Sequence, residues 1–198
     1  KKFQLPDPRY YITQIMQALL ASGATRIEIF TEGLRVRILF DGPGYTRDEL
    51  EKIHDAVFES GKNRDRDKMR ELALGLLSVQ GLGPSEVSVT SNGFRWDKGG
   101  PRGKLGPVTT PHNEIVIVHR RAATNEMQIL RQACQSCQAD MYINNLVLST
   151  AHAGRLNTCP WPNYAFKGPN FRGAFGIAYG EIAATSLSLT RYGVIFSK

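Results

Sequence analysis

Hydrophobic and polar residues follow a helical period in the first part of the chain and then alternate one by one. The apolar positions from Tyr11 to Leu19 recur every three or four residues, which predicts an amphipathic helix that ends at Ser22-Gly23. Alternation from Arg26 to Thr31 predicts a strand, and Leu34 to Phe40 predicts the strand that returns after a turn. The chain is therefore expected to open with a helix followed by a β-hairpin.

A loop and a second helix are expected after this hairpin. Asp41-Gly42-Pro43-Gly44 can continue neither a helix nor a strand and predicts a loop. Thr46 with Glu49 three positions later has the pattern of a helix capping box. The apolar face of this helix is expected to comprise Leu50, Ile53, Val57 and Phe58. Residues 62–68 contain no apolar side chain and are interpreted as a mobile surface segment.

The rest of the first 150 residues alternates between predicted helices and strands. In chain order these are a buried helix around Leu72–Leu77, a strand at Val87–Thr90, a hairpin within Asn92–Gly106, a strand at Ile115–His119, a helix at Met127–Cys137 and a hairpin of Met141–Ile143 with Val147-Leu148. Asn144-Asn145 is typical of a type I′ turn. This order predicts an α+β fold for residues 1–150, a two-layer sandwich with helices on one face of a mostly antiparallel sheet.

The pattern changes after about residue 150. Proline and glycine interrupt the chain, and strands are then predicted at Ala174–Ile182 and Ser186–Phe196. Residues 151–198 are therefore interpreted as a β-rich extension or the start of a second domain.

The composition is that of a globular protein with a basic charge. Hydrophobic residues make up 41% of the 198 residues, and the apolar runs are too short to cross a bilayer, so no membrane partner is expected. The net charge of +7 and the pI of about 9.5 favour acidic partners such as nucleic acid or nucleotide phosphates. The best local group of basic side chains is Lys98, Arg102 and Lys104, in a glycine-rich hairpin otherwise interpreted as solvated. Lys1-Lys2 in place of a starting Met indicates a fragment of a longer protein.

Three cysteines argue against a disulfide framework and for a reducing compartment, so the protein is expected in the cytoplasm or nucleus. Cys134, Cys137 and Cys159 together with His152 supply the four ligands that a structural zinc site needs. Because the Cys-x-x-Cys pair lies inside a helical pattern, the cysteines are interpreted instead as semi-buried free thiols.

The histidines and tryptophans give no catalytic pattern. His112, His119 and His152 have no serine or cysteine nucleophile at a recognisable spacing, so a hydrolytic triad is not predicted. His54 is expected on the polar, solvated side of the second helix, and Trp96 is expected to be a packing residue.

Two glycine-containing segments fit a phosphate-binding role. Phosphate sites use glycine because bare backbone N–H groups must approach the anion closely, and a helix N-terminus favours negative charge. The loop Asp41–Gly44 precedes the helix at Thr46, and Gly75 lies within Leu72–Ser78. A D-G-P-G sequence by itself more often forms an ordinary turn.

The order of these segments resembles the ATP-binding motifs of the GHKL (Bergerat-fold) superfamily, over Tyr10 to Leu148. Gln14–Ile29, with its Gly-Ala-Thr-Arg-Ile stretch, resembles the first motif of MutL-type mismatch-repair ATPases, and Phe40–Gly44 resembles the D-x-G-x-G motif. Ser60-Gly61-Lys62 is similar to the stretch before the ATP lid, and Met69–Ser78 with the strand at Val87 is similar to the glycine motif of heat-shock-90-type chaperones. His112–Ile117 matches the position of the Gly-Thr pair and the last core strand.

This resemblance implies ATP or ADP as the candidate ligand. The nucleotide-binding positions that it implies are Asp41, Gly42, Gly44, Lys62, Gly75 and Asn113. The general-base glutamate of the family corresponds to Gln14, and the asparagine that holds Mg²⁺ corresponds to Ala18. Glutamine cannot accept a proton from water as a base does, and alanine offers a metal no oxygen. The resemblance therefore implies no catalytic residue here and argues against bound Mg²⁺.

Two further motif positions also depart from the family. The adenine-reading aspartate falls on Phe40, so either a one-residue bulge places Asp41 in that role or Phe40 fills the adenine site. In the glycine motif, Arg70 and Ala73 replace two of three glycines and leave Gly75. His112-Asn113 stands where the family has Gly-Thr, although Asn113 still offers a hydrogen bond.

Three functions are compatible with this sequence. The first is a degenerate GHKL-like nucleotide-binding domain, weak or inactive as an ATPase, that serves as a conformational or interaction module of a larger protein through a lid at Glu59–Arg70. The second is an active chaperone-like or DNA-repair-like ATPase in which Glu59, Glu71 or a partner chain, such as a second copy in a homodimer, supplies the base. The third is a nucleic-acid-binding or scaffold domain that has lost the nucleotide.

Overall fold

The computed structural model describes residues 7–58, 64–99, 103–110, 112–121, 125–134, 137, 139–149, 186–190 and 193–197. Within them, the helices are α1 (Tyr11–Ala21), α2 (Arg47–Glu51), α3 (Arg64–Gln80) and α4 (Glu126–Ala133). The strands are β1 (Arg26–Glu32), β2 (Arg35–Phe40), β3 (Glu86–Ser91), β4 (Phe94–Asp97), β5 (Lys104–Pro107), β6 (Asn113–Val118), β7 (Asp140–Ile143), β8 (Leu146–Ser149), β9 (Ser186–Thr190) and β10 (Gly193–Ser197). Short 3₁₀ turns lie at Pro8–Tyr10 and Asp55–Val57.

Eight strands form one open sheet in the order β5-β4-β3-β6-β2-β1-β7-β8. Every neighbouring pair is antiparallel except β1 with β7, which is parallel. The predicted α+β class and the mostly antiparallel sheet are therefore confirmed.

The core lies on one face of this sheet. Ile29, Ile38, Ile115 and Val89 lie opposite one another on four adjacent strands, and all are fully buried. Because side chains alternate along a strand, these residues share one face. The helical residues in the same core include Ile12, Ile15 and Leu19 of α1, Leu72 and Leu76 of α3, and Leu130 of α4. Burial of each large aliphatic side chain contributes about 1.5–3 kcal/mol, so the helices are held against this face.

The region after Thr46 is helical for fewer residues than expected. The capping box is confirmed, since Thr46 N–H donates to Glu49 Oε2 (2.8 Å) and Glu49 N–H donates to Thr46 Oγ1 (3.3 Å). However, α2 ends at Glu51, because Lys52 leaves helical geometry with φ −95° and ψ 8°. Phe58 is 72% exposed, so its place on the expected apolar face is wrong.

The interruption brings His54 against Trp96 instead of into solvent. The two ring centroids are 5.4 Å apart, and Trp96 is almost fully buried, as expected of a packing residue. His54 Nε2 is buried without a hydrogen-bond partner, and burial lowers the pKa of the imidazole. The expectation of a solvated His54 is therefore wrong. The helical pattern places the side chain on the polar side, but in the structure it packs against Trp96 of β4.

Residues 64–68 belong to α3 and not to an irregular surface segment. The helix begins at Arg64 and continues to Gln80. The prediction of a mobile segment is therefore wrong over residues 64–68, and residues 62 and 63 lie outside the described part of the chain. The charged sequence before Met69 has no apolar residue to indicate a helix, and the buried apolar side chains of α3 begin at Met69.

Both predicted hairpins are present. β4 and β5 pair antiparallel within Asn92–Gly106, as expected, although β5 runs one residue further. Asn144 (φ 48°) and Asn145 (φ 66°) both have positive φ, which confirms the turn that Asn-Asn predicts. α4 ends at Ala133, four residues before the predicted end.

The described C-terminal strands form a separate sheet. β9 and β10 pair antiparallel within the predicted strand region Ser186–Phe196 and extend it by one residue. The predicted strand at Ala174–Ile182 and the domain boundary near residue 150 lie outside the described residues. Among the helices that the structure describes, none is long and apolar enough to span a membrane.

Candidate functional site

Asp41 ties the loop Asp41–Gly44 to the start of β1. Its Oδ1 accepts hydrogen bonds from the backbone N–H groups of Thr25 (2.6 Å) and Arg26 (2.8 Å), and its Oδ2 accepts one from the Thr25 hydroxyl (2.6 Å). Burial acts to raise the pKa of Asp41, but these hydrogen bonds outweigh it and the pKa lies below its usual range. A carboxylate has about four lone-pair sites. Three of them are used within the protein, so Asp41 anchors its own loop.

Phe40 keeps the sheet register up to the loop. It lies opposite Ile27 on one side and Asn113 on the other, without a register shift in β2. The one-residue bulge that would move Asp41 into the place of Phe40 is therefore not formed, and that alternative is wrong. The buried Phe40 ring packs edge-on against Tyr45, with centroids 6.1 Å apart. Phe40 therefore has a core position beside the loop, and its relation to an adenine site stays a prediction.

A network of polar side chains holds the two loop glycines against the sheet. Gly44 has φ +65°, and a Cβ there would collide with Ser91 Oγ and with the side chain of Asn113. Ser91 Oγ donates to Asn113 Oδ1 (2.7 Å) and accepts from Tyr45 N–H (2.7 Å). Asn113 Nδ2 donates to the carbonyl oxygen of Gly42 (3.3 Å). The structure thus brings Asp41, Gly42, Gly44 and Asn113 together, while their role in nucleotide binding stays a prediction.

The backbone of this loop already has protein partners. Asn92 Nδ2 donates to the carbonyl oxygens of Pro43 (2.9 Å) and Tyr45 (3.0 Å). The Asp41 N–H donates to Arg26 O (3.2 Å), and the N–H groups of Tyr45 and Thr46 donate to side-chain oxygens. Phosphate loops present N–H groups to the anion, whereas the N–H of Asp41 in this loop and those of Tyr45 and Thr46 just after it are used internally.

Gln14 and Ala18, which the predicted resemblance matches to a base and a metal ligand, lie one turn apart on α1. Gln14 is 6% exposed and Ala18 is fully buried. Neither side chain ionises, so α1 places an amide and a methyl group where a base and a metal ligand would be needed.

Gly75 lies inside α3, within the helix predicted around Leu72–Leu77. A Cβ at this position would lie 2.8 Å from Ile15 Cγ1 and 3.2 Å from both Ile15 N and Tyr11 O. Glycine is therefore needed here so that α3 can approach the backbone of α1. Glu59, a candidate base, and Lys62, a predicted nucleotide-binding residue, lie outside the described residues.

A buried ion pair holds the first half of α3 against α2. Lys68 Nζ lies 2.7 Å from Glu49 Oε1 and 5.8 Å from the centre of the Tyr45 ring. Lys68 is 9% exposed and Tyr45 is fully buried. Burial raises the pKa of the Tyr45 hydroxyl, with the charge of Glu49 adding to the effect. Residues 64–70, expected to be a lid, are thus anchored at Lys68.

A second cluster of polar groups lies buried among α1, β6 and α4, and sequence reasoning missed it. Tyr11 Oη donates to Glu126 Oε1 (2.9 Å) and lies 3.2 Å from His119 Nε2, which is 3.0 Å from the same carboxylate oxygen. Burial and the charge of Glu126 hold the pKa of Tyr11 well above its usual range. Tyr11 lies more than 100 positions before both His119 and Glu126 in sequence. Glu126 has the place of an ordinary first-turn acidic residue, so no local signal indicates the cluster.

The cysteines in the described residues are buried thiols. Cys134 and Cys137 are 0% and 1% exposed, more buried than the semi-buried state expected. His152 and Cys159 lie outside the described residues. Within the part of the chain that is described, no three His, Cys, Asp or Glu side chains lie together as a metal site requires.

The basic excess of the chain lies outside the described residues. These carry 16 of the 25 Lys and Arg and 16 of the 18 Asp and Glu, so their net charge is zero and the other 9 basic and 2 acidic residues give the +7. Lys98 and Lys104 are exposed on the β4–β5 hairpin, and Arg102 is not described. The described sheet and helices therefore offer no overall positive charge to a polyanion.

A cavity of about 440 Å³ lies on the sheet face opposite the helices. It is lined by Phe30, Glu32, Arg35, Arg37 and Glu114. Arg37 and Glu114 form an ion pair, and Glu32 lies opposite Arg35 in the β1–β2 register. The two acidic and two basic side chains that line the cavity balance in charge, and the lining includes no residue of the loop Asp41–Gly44.

No protein-family model matches this chain, and no curated protein matches it.

Proposed function

We propose that this chain is a degenerate GHKL-like, Bergerat-type domain that does not hydrolyse ATP rapidly and serves as an interaction module of a larger protein. The order of the motif-like segments supports the family relationship. The observation that carries the functional part is the chemistry of α1, where the base and metal-ligand positions are the buried residues Gln14 and Ala18.

The chemistry of phosphate hydrolysis explains why these two positions matter. A positioned base contributes about 10²–10⁴-fold to such a reaction, and a metal ion stabilises charge on the phosphate oxygens. Gln14 supplies no base and Ala18 supplies no ligand. Asp41, the remaining candidate for reading the base of the nucleotide, already accepts three hydrogen bonds from Thr25 and Arg26.

The alternatives have less support. An active ATPase needs another base, and Glu71, the described candidate, is half-buried on α3. A nucleic-acid-binding scaffold needs a clustered basic surface, whereas the basic residues behind the +7 charge are scattered along the sequence rather than in one run.

Calorimetric titration with ADP and with a non-hydrolysable ATP analogue, each with and without Mg²⁺, tests the proposal. We expect weak or absent binding and little effect of Mg²⁺. The restored double variant Gln14→Glu/Ala18→Asn is compared with Gln17→Glu, which adds the same charge at a half-buried position on the same helix. Mg²⁺-dependent binding by the restored variant but not by Gln17→Glu would support the family relationship and the loss of function together.

Strong Mg²⁺-dependent binding by the unaltered chain would contradict the proposal. So would steady phosphate release that Gln14→Ala abolishes, because that result would assign the chemistry to α1 as it stands.

A further inference from the structure

The thiols of Cys134 and Cys137 meet at the end of α4. Cys134 follows the last residue of the helix, and its N–H donates to Leu130 O (2.8 Å). The N–H of Cys137 then donates to the carbonyl oxygen of Cys134 (3.3 Å). This backbone hydrogen bond brings the two cysteines together at the end of α4.

The backbone of this turn is compatible with a disulfide. A hydrogen bond between residues i and i+3 is typical of turns whose end Cα atoms are less than about 7 Å apart. Disulfides span Cα–Cα distances of about 4.4–6.8 Å. Because the two distance ranges overlap, the backbone hydrogen bond between Cys134 and Cys137 places them at a separation that a disulfide can span.

The surroundings of the pair are apolar. Both cysteines belong to the core, together with Leu130, Ala139 and Met141. The described residues bring no third metal-ligating side chain to these thiols. This environment favours two neutral thiols or a neutral disulfide over a thiolate or a metal ion.

We propose that Cys134 and Cys137 are a redox modification site, at which exchange with a small disulfide such as oxidised glutathione closes an intramolecular disulfide. One protein thiol loses its proton and attacks a sulfur of oxidised glutathione, which forms a mixed disulfide and releases one glutathione thiolate. The second protein thiol loses its proton and attacks the protein sulfur of the mixed disulfide, so the protein disulfide forms and the second glutathione thiolate leaves. The protein dithiol gives up two electrons to glutathione, and the two protons end on the two glutathione thiols.

Exchange at this site is slow in the closed structure. The hydrogen bond with Cys137 and burial hold the pKa of the Cys134 thiol well above its usual range, and the negative end of the α4 dipole also opposes a thiolate there. A glutathione molecule reaches the sulfur atoms only when the end of α4 opens. The site therefore responds to the local stability of α4 as well as to the redox state of its surroundings.

The disulfide acts on the connection between α4 and β7. β7 begins at Asp140, three residues after Cys137, and forms the parallel pair with β1. Oxidation links the residue that follows α4 covalently to Cys137, three residues before β7 begins.

The test uses the full chain with Cys159→Ser, which removes the other possible pairing. The protein is incubated with mixtures of oxidised and reduced glutathione, remaining thiols are blocked with N-ethylmaleimide, and intact mass and peptide mapping follow. We expect both thiols to be lost together, with a mass lower by two hydrogen atoms before alkylation and a Cys134–Cys137 linked peptide. A sub-denaturing concentration of urea should accelerate the loss by about 10-fold or more, because it promotes local opening.

Other products would overturn the proposal. These are a stable singly glutathionylated chain, a disulfide between two chains, stoichiometric zinc that protects the thiols, or two thiols that persist after full equilibration in urea-containing oxidised glutathione. Peptide mapping of the Cys159→Ser chain decides among them without Cys134→Ser or Cys137→Ser, so a folding defect in those variants does not affect the result.

Discussion

Replacement of Gly75 by alanine separates a packing role from a phosphate-binding role. In an unobstructed helix, alanine is more favourable than glycine by about 1 kcal/mol. At Gly75, however, the added Cβ would lie 2.8 Å from Ile15 Cγ1 and 3.2 Å from Ile15 N and Tyr11 O. Normal contacts between carbon atoms are about 3.5–4.0 Å. The propensity gain and the steric cost therefore have opposite signs, and their sizes decide the outcome.

The steric cost is expected to be larger. Insertion of one methyl group into a packed core typically costs about 1–3 kcal/mol. The side chain of Ile15 can rotate away, but two of the three close atoms belong to the backbone of α1 and move only if the helices separate. We therefore take the upper part of this range, which leaves a net destabilisation of about 1–2 kcal/mol for Gly75→Ala after the gain in helix propensity.

Urea denaturation measures this change as a lower midpoint at unchanged slope. Gly106→Ala is the matched control, because a Cβ at Gly106 meets no heavy atom within 4 Å and its effect should stay within about 0.5 kcal/mol. An increase in the midpoint for Gly75→Ala would refute the packing argument, since only an unobstructed helical glycine gains from alanine. Unchanged stability with loss of nucleotide binding would instead favour a role in a phosphate site.

Three further changes test other parts of the structure. Asp41→Asn should lower the free energy of unfolding at neutral pH. Because the folded pKa of Asp41 is depressed, this difference should be complete above the unfolded pKa of about 4 and should be lost below it, as the pH falls through the lower folded pKa; a difference independent of pH would contradict it. Tyr11→Phe should cost about 1–3 kcal/mol in urea denaturation, because it removes a buried hydrogen bond to Glu126, and a loss below about 0.5 kcal/mol would not fit. Asn145→Gly should raise the thermal midpoint and Asn145→Ala should lower it, since φ is 66°; the reverse order would exclude this turn geometry.

Local rules were sufficient for much of the fold. Period and turn chemistry predict α1, the β1–β2 hairpin and the Asn144-Asn145 turn because each depends on residues close in sequence. The capping box at Thr46 is predicted for the same reason, since both of its hydrogen bonds join positions three apart. The proximity of the loop Asp41–Gly44 to Asn113 followed only from the family resemblance.

Contacts between distant segments account for what sequence reasoning missed. Residues 64–68 have no apolar side chain, yet Lys68 is buried because Glu49 supplies an opposite charge. His54 is drawn from solvent by Trp96, which lies 42 positions later in the sequence. Such partners are specified by the sheet order, and a pattern read along one segment contains no information about them.

Two contacts that hold α3 in place help to distinguish a conformational role of this domain from an interaction role. A lid works by population shift only if its open state lies within a few kcal/mol of the closed state. Separation of Lys68 from Glu49 breaks an ion pair whose carboxylate side chain is 22% exposed and moves both charges toward solvent, which costs about 1 kcal/mol or less. The close approach of α3 to α1 at Gly75 would be lost in the same movement. Since both contacts favour one position of the helix, a rigid module that presents its surface to a partner fits this structure better than a nucleotide-driven lid over residues 64–70.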